Sequence, residues 1–141
     1  MNKPRFPLLL FALAAATLFA SSCGKSSLSG LIRQPQAITL SPATADALDY
    51  PEGQVQFTAT GHYNTAPYAV TPQSATWGVC YQNAPTTEVS VTTGGLAQCT
   101  SGAVGTYTVF AFDVPSGASC NAMTACGGGC SIEGTAQLTC P

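Results

Sequence analysis

The sequence predicts an all-β protein, a single β-sandwich of about seven short strands that disulfides stabilise. From residue 37 onward, short runs alternate apolar and polar residues with a period of two, as half-buried strands do. Pro and Gly separate these runs, and no stretch of this part of the chain has the spacing of a helix. Seven cysteines in 141 residues are too many for an ordinary cytosolic protein, so they are expected to be disulfide-bonded or metal ligands.

The first 22 residues have the pattern of a secretory signal peptide. Lys3 and Arg5 precede an uncharged run over residues 6–20, which is too short for a comfortable membrane span of roughly 20 apolar residues. The run is followed by small residues that lead directly to Cys23. The sequence therefore predicts an exported protein.

The segment Ala20-Ser21-Ser22-Cys23 resembles a bacterial lipobox, although the position of Ala20 is usually Leu in such signals. The resemblance implies that a diacylglyceryl group is attached to the Cys23 thiol and that the signal is cut just before it. The alternative is ordinary cleavage after Ser22. Several acyl chains would anchor the protein stably to a membrane. Gly24 stands where Asp is associated with inner-membrane retention, so the resemblance implies a cell-envelope location at the outer membrane or cell surface.

Residues 23–36 are predicted to form the lipidated Cys and a flexible tether, because the stretch is short and rich in small and polar residues. The sandwich is predicted over residues 37–141. Within it the predicted strands lie at 38–41, 54–60, 77–79, 89–92, 107–114 and 132–139. The run 107–114 is the most apolar and is predicted to be a central strand, buried on both faces.

Six phrases carry a resemblance to a known module: ITLSPATA at 38–45, GQVQFTATGHY at 53–63, ATW at 75–77, EVSV at 88–91, GLA at 95–97 and AVGTYTVFAF at 103–112. Their order and spacing are similar to those of a group 2 bacterial immunoglobulin-like domain, as found in intimin- and invasin-type surface proteins. The resemblance implies a core around Phe57, Trp77 and Val109, with Tyr107 in the place of a tyrosine corner. The chain departs from the family in its cysteine-rich loop at 115–130.

Setting Cys23 aside from the seven cysteines leaves an even number, six, for the domain: Cys80, Cys99, Cys120, Cys126, Cys130 and Cys140. Export to an oxidising compartment favours three disulfides, whereas zinc spacing is lacking and His62 is the only histidine. Six cysteines allow 15 pairings. A Cys80–Cys99 bond is predicted, because Cys80 follows one strand and Cys99 precedes another at ends expected to adjoin.

The remaining polar residues give no catalytic set. Asp46, Asp49 and Glu52 are close in sequence and are weighed as calcium ligands, but they lack EF-hand spacing. Glu88, Asp113 and Glu133 are isolated, so no enzyme, metal site or cofactor is predicted. A net charge of −2 gives no basic footprint for nucleic acid.

The sequence therefore predicts a non-catalytic module for adhesion, spacing or protein interaction, an inference that rests on the fold. One alternative is a carbohydrate-binding module with Tyr63, Tyr68 and Tyr81 as its platform. A small exported hydrolase is the other. The partners expected are the membrane, through Cys23, and an unidentified protein or glycan.

Overall fold

The computed structural model describes residues 32–113 and 119–141, which form eleven strands, two short 3-10 turns and one short helix. The strands are β1 (Pro35–Ser41), β2 (Thr44–Asp46), β3 (Gln54–Gln56), β4 (Thr58–Tyr63), β5 (Ala69–Val70), β6 (Thr76–Tyr81), β7 (Ala84–Pro85), β8 (Val89–Val91), β9 (Leu96–Cys99), β10 (Gly105–Phe112) and β11 (Glu133–Cys140). The helix α1 spans Ala122–Cys126, and the 3-10 turns span Ala47–Asp49 and Pro51–Gly53.

The strands form three sheets. A five-stranded sheet has the order β2-β11-β10-β6-β7, and two three-stranded sheets have the orders β1-β4-β5 and β3-β9-β8. All pairs are antiparallel except β2 with β11, which are parallel. β3 and β4 follow one another along the chain, so the two small sheets are joined through a single strand path from Gln54 to Tyr63.

The all-β prediction is confirmed, and the arrangement is sandwich-like, but the expected count of about seven strands is wrong for the described residues. The four strands that lie outside the predicted runs (β2, β5, β7 and β9) contain only two to four residues each. Such strands are too short to show a period of two in the sequence. The run predicted as one strand at 54–60 is interrupted at Phe57, which gives two strands.

The main core lies between the five-stranded sheet and the two small sheets, and its buried residues come from eight strands and the segments beside them. Phe57 and Val109 have no exposed surface, and Tyr107 is 1% exposed. β10 is the central strand of its sheet and is buried on both faces, as its apolar sequence predicts. Its inward residues Tyr107, Val109 and Ala111 belong to the main core, while Phe110 lies on the opposite face.

A second, smaller apolar cluster covers that opposite face. Phe110 and Phe112 stack with ring centroids 5.9 Å apart, and Cys80 lies in the same cluster with two residues of α1, Ala125 and Cys126. The sequence predicts no helix here, so the prediction is wrong at α1. Its five residues are too few to show helical periodicity, and it is fixed by an Asn121 cap and by the disulfides of the loop rather than by its own propensity.

The domain contains the three predicted disulfides, with a pairing that corrects the predicted one. The bonds join Cys80 to Cys126, Cys99 to Cys140 and Cys120 to Cys130, with Cα–Cα distances of 5.6, 5.9 and 5.5 Å. The predicted Cys80–Cys99 bond is wrong because Cys80, on β6, faces away from the main core, whereas Cys99 is on β9 of a small sheet, on the other side of the five-stranded sheet. Cys80 belongs to the outer cluster beneath α1, whereas Cys99 packs against the main core beside Cys140.

The chain joins the domain before the boundary expected at residue 37. β1 begins at Pro35, and just before it the Gln34 N–H donates to Asn64 Oδ1 at 2.8 Å. The guanidinium of Arg33 lies 3.6 Å above the centre of the Tyr63 ring and donates to the carbonyl oxygen of Pro67 at 2.9 Å. The last residues of the predicted tether are therefore docked on the domain.

The predicted signal peptide, Cys23 and the predicted tether up to residue 31 lie outside the described residues, as do positions 114–118 of the cysteine-rich loop. Within the residues that are described, no helix is long and apolar enough to cross a membrane.

Candidate functional site

A surface groove of about 530 Å³ opens where the strand path from Gln54 to Tyr63 changes partners. The Phe57 N–H donates to the carbonyl oxygen of Gly95 at 2.9 Å, which continues the pairing of β3 with β9. Two residues later, the carbonyl oxygen of Ala59 accepts from the Gln73 N–H at 2.8 Å, on the segment that follows β5. Thr58 lies between Phe57, which pairs with Gly95, and Ala59, which pairs with Gln73. The groove occupies the gap between these two partner segments.

Trp77 lines this groove from the five-stranded sheet. The prediction places Trp77 buried in the core beside Phe57 and Val109, but the side chain is only partly buried and packs at the margin of the main core. The physical reason is the gap itself, since neither β9 nor the segment after β5 covers the indole at Thr58. Trp77 is therefore both a core residue and a groove residue.

Gly95 determines how closely the indole approaches the small sheets. A Cβ atom at this position would lie 2.9 Å from Cζ2 and 3.0 Å from Cη2 of Trp77, and it would overlap the carbonyl oxygen of Phe57. The backbone also has a φ of +82°, which side chains rarely adopt. Glycine is therefore required here by both space and conformation.

Two glutamines form the polar walls of the groove and are held in fixed positions. Gln73 accepts from the Tyr63 hydroxyl through Oε1 at 2.6 Å and donates through Nε2 to the carbonyl oxygen of Ser74 at 3.1 Å. Gln56 donates through Nε2 to the carbonyl oxygens of Phe57 and Gly94, both at 2.7 Å. These bonds use the Nε2 donors of Gln56 and leave its Oε1 without a partner among the described residues.

The rest of the lining is uncharged. Besides Trp77 and the two glutamines, it consists of Phe57, Thr58, Ala59, Pro72, Ser74, Thr93 and Gly94. The hydroxyls of Thr58, Ser74 and Thr93 have no hydrogen-bond partner among the described residues. The groove therefore combines an aromatic surface with free hydroxyls and a free amide oxygen, and it has no charged group in its walls.

The tyrosines considered as a carbohydrate platform do not form one continuous strip. The face of Tyr63 is covered by Arg33, and its hydroxyl is bonded to Gln73. Tyr81 is 36% exposed, and its ring packs against the buried Tyr107 in a tilted arrangement, with centroids 4.9 Å apart. Only Tyr68, which is 68% exposed, presents most of its ring among these three.

The polar side chains of His62 and Asp46 form hydrogen bonds within the fold. His62 Nε2 lies 3.0 Å from the Thr39 hydroxyl on the neighbouring strand β1. Asp46 accepts from the Leu48 N–H at 3.0 Å and thereby caps a 3-10 turn. Within 32–113 and 119–141, no group of three or more His, Cys, Asp or Glu side chains is placed to hold a metal ion.

Tyr107, in the expected tyrosine-corner position, donates its hydroxyl to Glu88 Oε2 at 2.6 Å rather than to the backbone. This hydrogen bond, together with burial, raises the pKa of the Tyr107 phenol above its ordinary value of 10.0. Burial likewise raises the pKa of Glu133, whose Oε2 has no hydrogen-bond partner among the described residues.

The sequence interpretation identified Trp77 but missed Gln56, Gln73 and Thr58 as groove residues. They are widely separated along the chain, and each occurs in an ordinary polar phrase. The doublet Gly94-Gly95 was the one available signal, since it marks a turn and a place of close approach. No protein-family model matches the chain, and no curated protein is similar to it.

Proposed function

We propose that this chain is an exported, lipid-anchored protein of the cell envelope, whose domain is a non-catalytic immunoglobulin-like module for adhesion, spacing or protein interaction. The observation that carries the proposal is the pairing of all six domain cysteines in disulfides. Disulfides of this density belong to oxidising compartments outside the cytosol. The seventh cysteine, Cys23, is the one that follows the signal-like segment.

The strand order supports the immunoglobulin-like part of the proposal. Because β3 and β4 share one strand path, the two small sheets give one layer with the order β1-(β3/β4)-β9-β8. The second layer contains β11, β10 and β6 in that order. These orders correspond to the ABED and GFC layers of an immunoglobulin sandwich, with β2, β5 and β7 as additional short strands.

The phrases that resemble group 2 bacterial immunoglobulin-like domains lie mostly on strands, which supports the proposal. ITLSPATA covers most of β1 and the start of β2, GQVQFTATGHY covers β3 and β4, and AVGTYTVFAF contains β10. In this reading the disulfide between Cys99 and Cys140 joins strand E to strand G. It links the two layers, as the B–F disulfide does in antibody domains, but at a different place.

Metabolic labelling with a palmitate analogue tests the anchoring. Wild-type protein should be labelled and recovered with membranes, whereas Cys23→Ser should be neither labelled nor membrane-bound. Ser22→Ala is the matched control, because it retains the thiol and a small residue before it, and it should be labelled like wild type. Equal labelling of Cys23→Ser and wild type would contradict the proposal.

A further inference from the structure

We infer that the groove beside Trp77 is a binding site for a neutral oligosaccharide. This inference rests on the proposed non-catalytic function. It names the place of the interaction site and the class of ligand that binds there. The sequence suggested Tyr63, Tyr68 and Tyr81 as a platform for carbohydrate. The site inferred here lies instead in the gap between β9 and the segment that follows β5.

The walls of the groove carry no charge, and this favours a neutral ligand over a charged one. None of the ten lining residues is ionisable at neutral pH, and four of them supply hydroxyl or amide groups other than Gln73: Gln56, Thr58, Ser74 and Thr93. A phosphate or carboxylate ligand would lose its hydration without gaining a charged partner, which is costly. A ligand covered with hydroxyls exchanges hydrogen bonds with water for hydrogen bonds with these groups at little cost.

The shape and polarity of the groove fit sugar rings. A pyranose has a C–H face that packs against aromatic carbon and a rim of hydroxyls that point outward. The groove offers Trp77 and Pro72 as apolar surfaces, and Gln56 Oε1 and the Thr58 hydroxyl as polar groups. Its volume of about 530 Å³ lies within the usual range of small-molecule sites, roughly 300–1,000 Å³.

A peptide strand fits less well, because strand addition needs free backbone groups along a sheet edge. At this groove the Phe57 N–H is bonded to Gly95, and the carbonyl oxygen of Ala59 is bonded to Gln73. The carbonyl oxygens of Phe57 and Gly94 both accept from Gln56. The free groups are therefore side-chain atoms, which recognise hydroxyls rather than a main chain.

The test uses intrinsic fluorescence, because Trp77 is the only tryptophan in the chain and its emission reports on this groove alone. The full-length protein, in a detergent without sugar groups, is titrated with cellotetraose, xylotetraose, mannotetraose and N-acetylchitotetraose. At least one should change the emission saturably, with a Kd of about 1 mM or lower. It should also protect Trp77 from quenching by acrylamide.

The double variant Thr58→Val with Thr93→Val removes two hydroxyls and keeps the side-chain shape. It should weaken binding about tenfold or more, since two hydrogen bonds to the ligand are lost. Tyr68→Ala removes an exposed ring outside the groove and should bind like wild type. Thermal melts of both variants establish that the domain remains folded.

Three results would overturn the inference: no response to any of the four tetrasaccharides, equal binding by the double variant and wild type, or loss of binding only in Tyr68→Ala. Tighter binding of an acidic oligosaccharide or of an unstructured peptide would also overturn it. Because Cys23 labelling is measured separately, failure here with normal labelling removes the ligand assignment and leaves the anchoring intact.

Discussion

At the scale of single residues, Gly95 illustrates how a short turn fixes the position of a distant aromatic side chain. Its positive φ and the nearby Trp77 ring and Phe57 carbonyl oxygen exclude a Cβ atom. The adjacent Gly94 has no such constraint, since a Cβ there would meet only the Thr92 hydroxyl, at 3.8 Å. The two neighbouring glycines therefore form a matched pair for an experiment.

We expect Gly95→Ala to lower the free energy of unfolding by about 2–4 kcal/mol, because it combines an unfavourable φ with overpacking. Gly94→Ala should change it by less than about 1 kcal/mol. Urea denaturation of both variants measures the difference. Equal effects at the two positions would show that the indole does not pack against Gly95 as described.

The hydrogen bond from the buried Tyr107 to the exposed Glu88 predicts how stability changes at alkaline pH. The pKa of Tyr107 is raised in the folded protein, so its protonated form is favoured by folding. The stabilisation is therefore complete below the unfolded value near pH 10 and is lost as the pH rises through the higher folded value. Wild type should lose stability in this interval faster than Tyr107→Phe.

Denaturation midpoints between about pH 9 and pH 11 provide the measurement. Glu88→Gln serves as the control, because it keeps a hydrogen-bond acceptor but removes the charge that disfavours the phenolate. Its alkaline loss should be smaller than that of wild type. Identical slopes for wild type and Tyr107→Phe would contradict the assigned hydrogen bond.

At the scale of elements, side chains alternate between the two faces of a strand. This alternation explains why most strands were predicted from the sequence and why the predicted disulfide was wrong. Period-two alternation located β1, β6, β8 and β11, because one face of each packs on the main core, whereas a continuous apolar run located β10, which is buried on both faces. The same alternation, applied to Val79 and Cys80, places these neighbours on opposite faces of β6. Because Val79 faces the main core, Cys80 faces away from it, whereas Cys99 packs against that core. A Cys80–Cys99 bond is therefore excluded.

Other elements could not be predicted from the sequence, because their formation depends on residues that are distant along the chain. The two residues of β5 and of β7 are strands only through their pairing with β4 and β6. Helix α1 exists because Cys126 is bonded to Cys80 and Cys120 to Cys130 across the loop. Neither the pairing nor the bonds leave a local pattern in the sequence.

The disulfides are expected to differ in what they stabilise. Cys99–Cys140 joins two layers at the margin of the main core and spans 41 residues, so replacing both cysteines by Ala should cost about 4 kcal/mol by loop entropy. Cys120–Cys130 spans 10 residues within one loop. Its removal should cost about 3 kcal/mol at most and chiefly expose α1 to proteases.

Urea denaturation and limited proteolysis of the two double variants separate these effects. In the Cys120/Cys130 variant, early cleavage should occur near α1 while the sandwich remains folded. A larger loss of global stability in that variant than in the Cys99/Cys140 variant would reverse the expected order and contradict the described core.

At the scale of the whole molecule, the class and the number of disulfides were predictable, whereas the groove was not. Composition and the cysteine count are properties of the whole chain, and they predict disulfides without knowledge of which residues meet in the fold. The groove is made by Thr58, Gln73, Thr93 and Trp77, which come from four separate segments. It arises from the change of partners at Phe57, and no local sequence pattern encodes such a junction.

We propose that one chain carries both a lipid at Cys23 and three disulfides in its domain. The intact mass of the protein extracted from membranes, alkylated without reduction, tests both parts in one measurement. We expect a chain that begins at Cys23, carries acyl groups and lacks six hydrogens because of its three disulfides. A chain without lipid, or one with six alkylated cysteines, would contradict it.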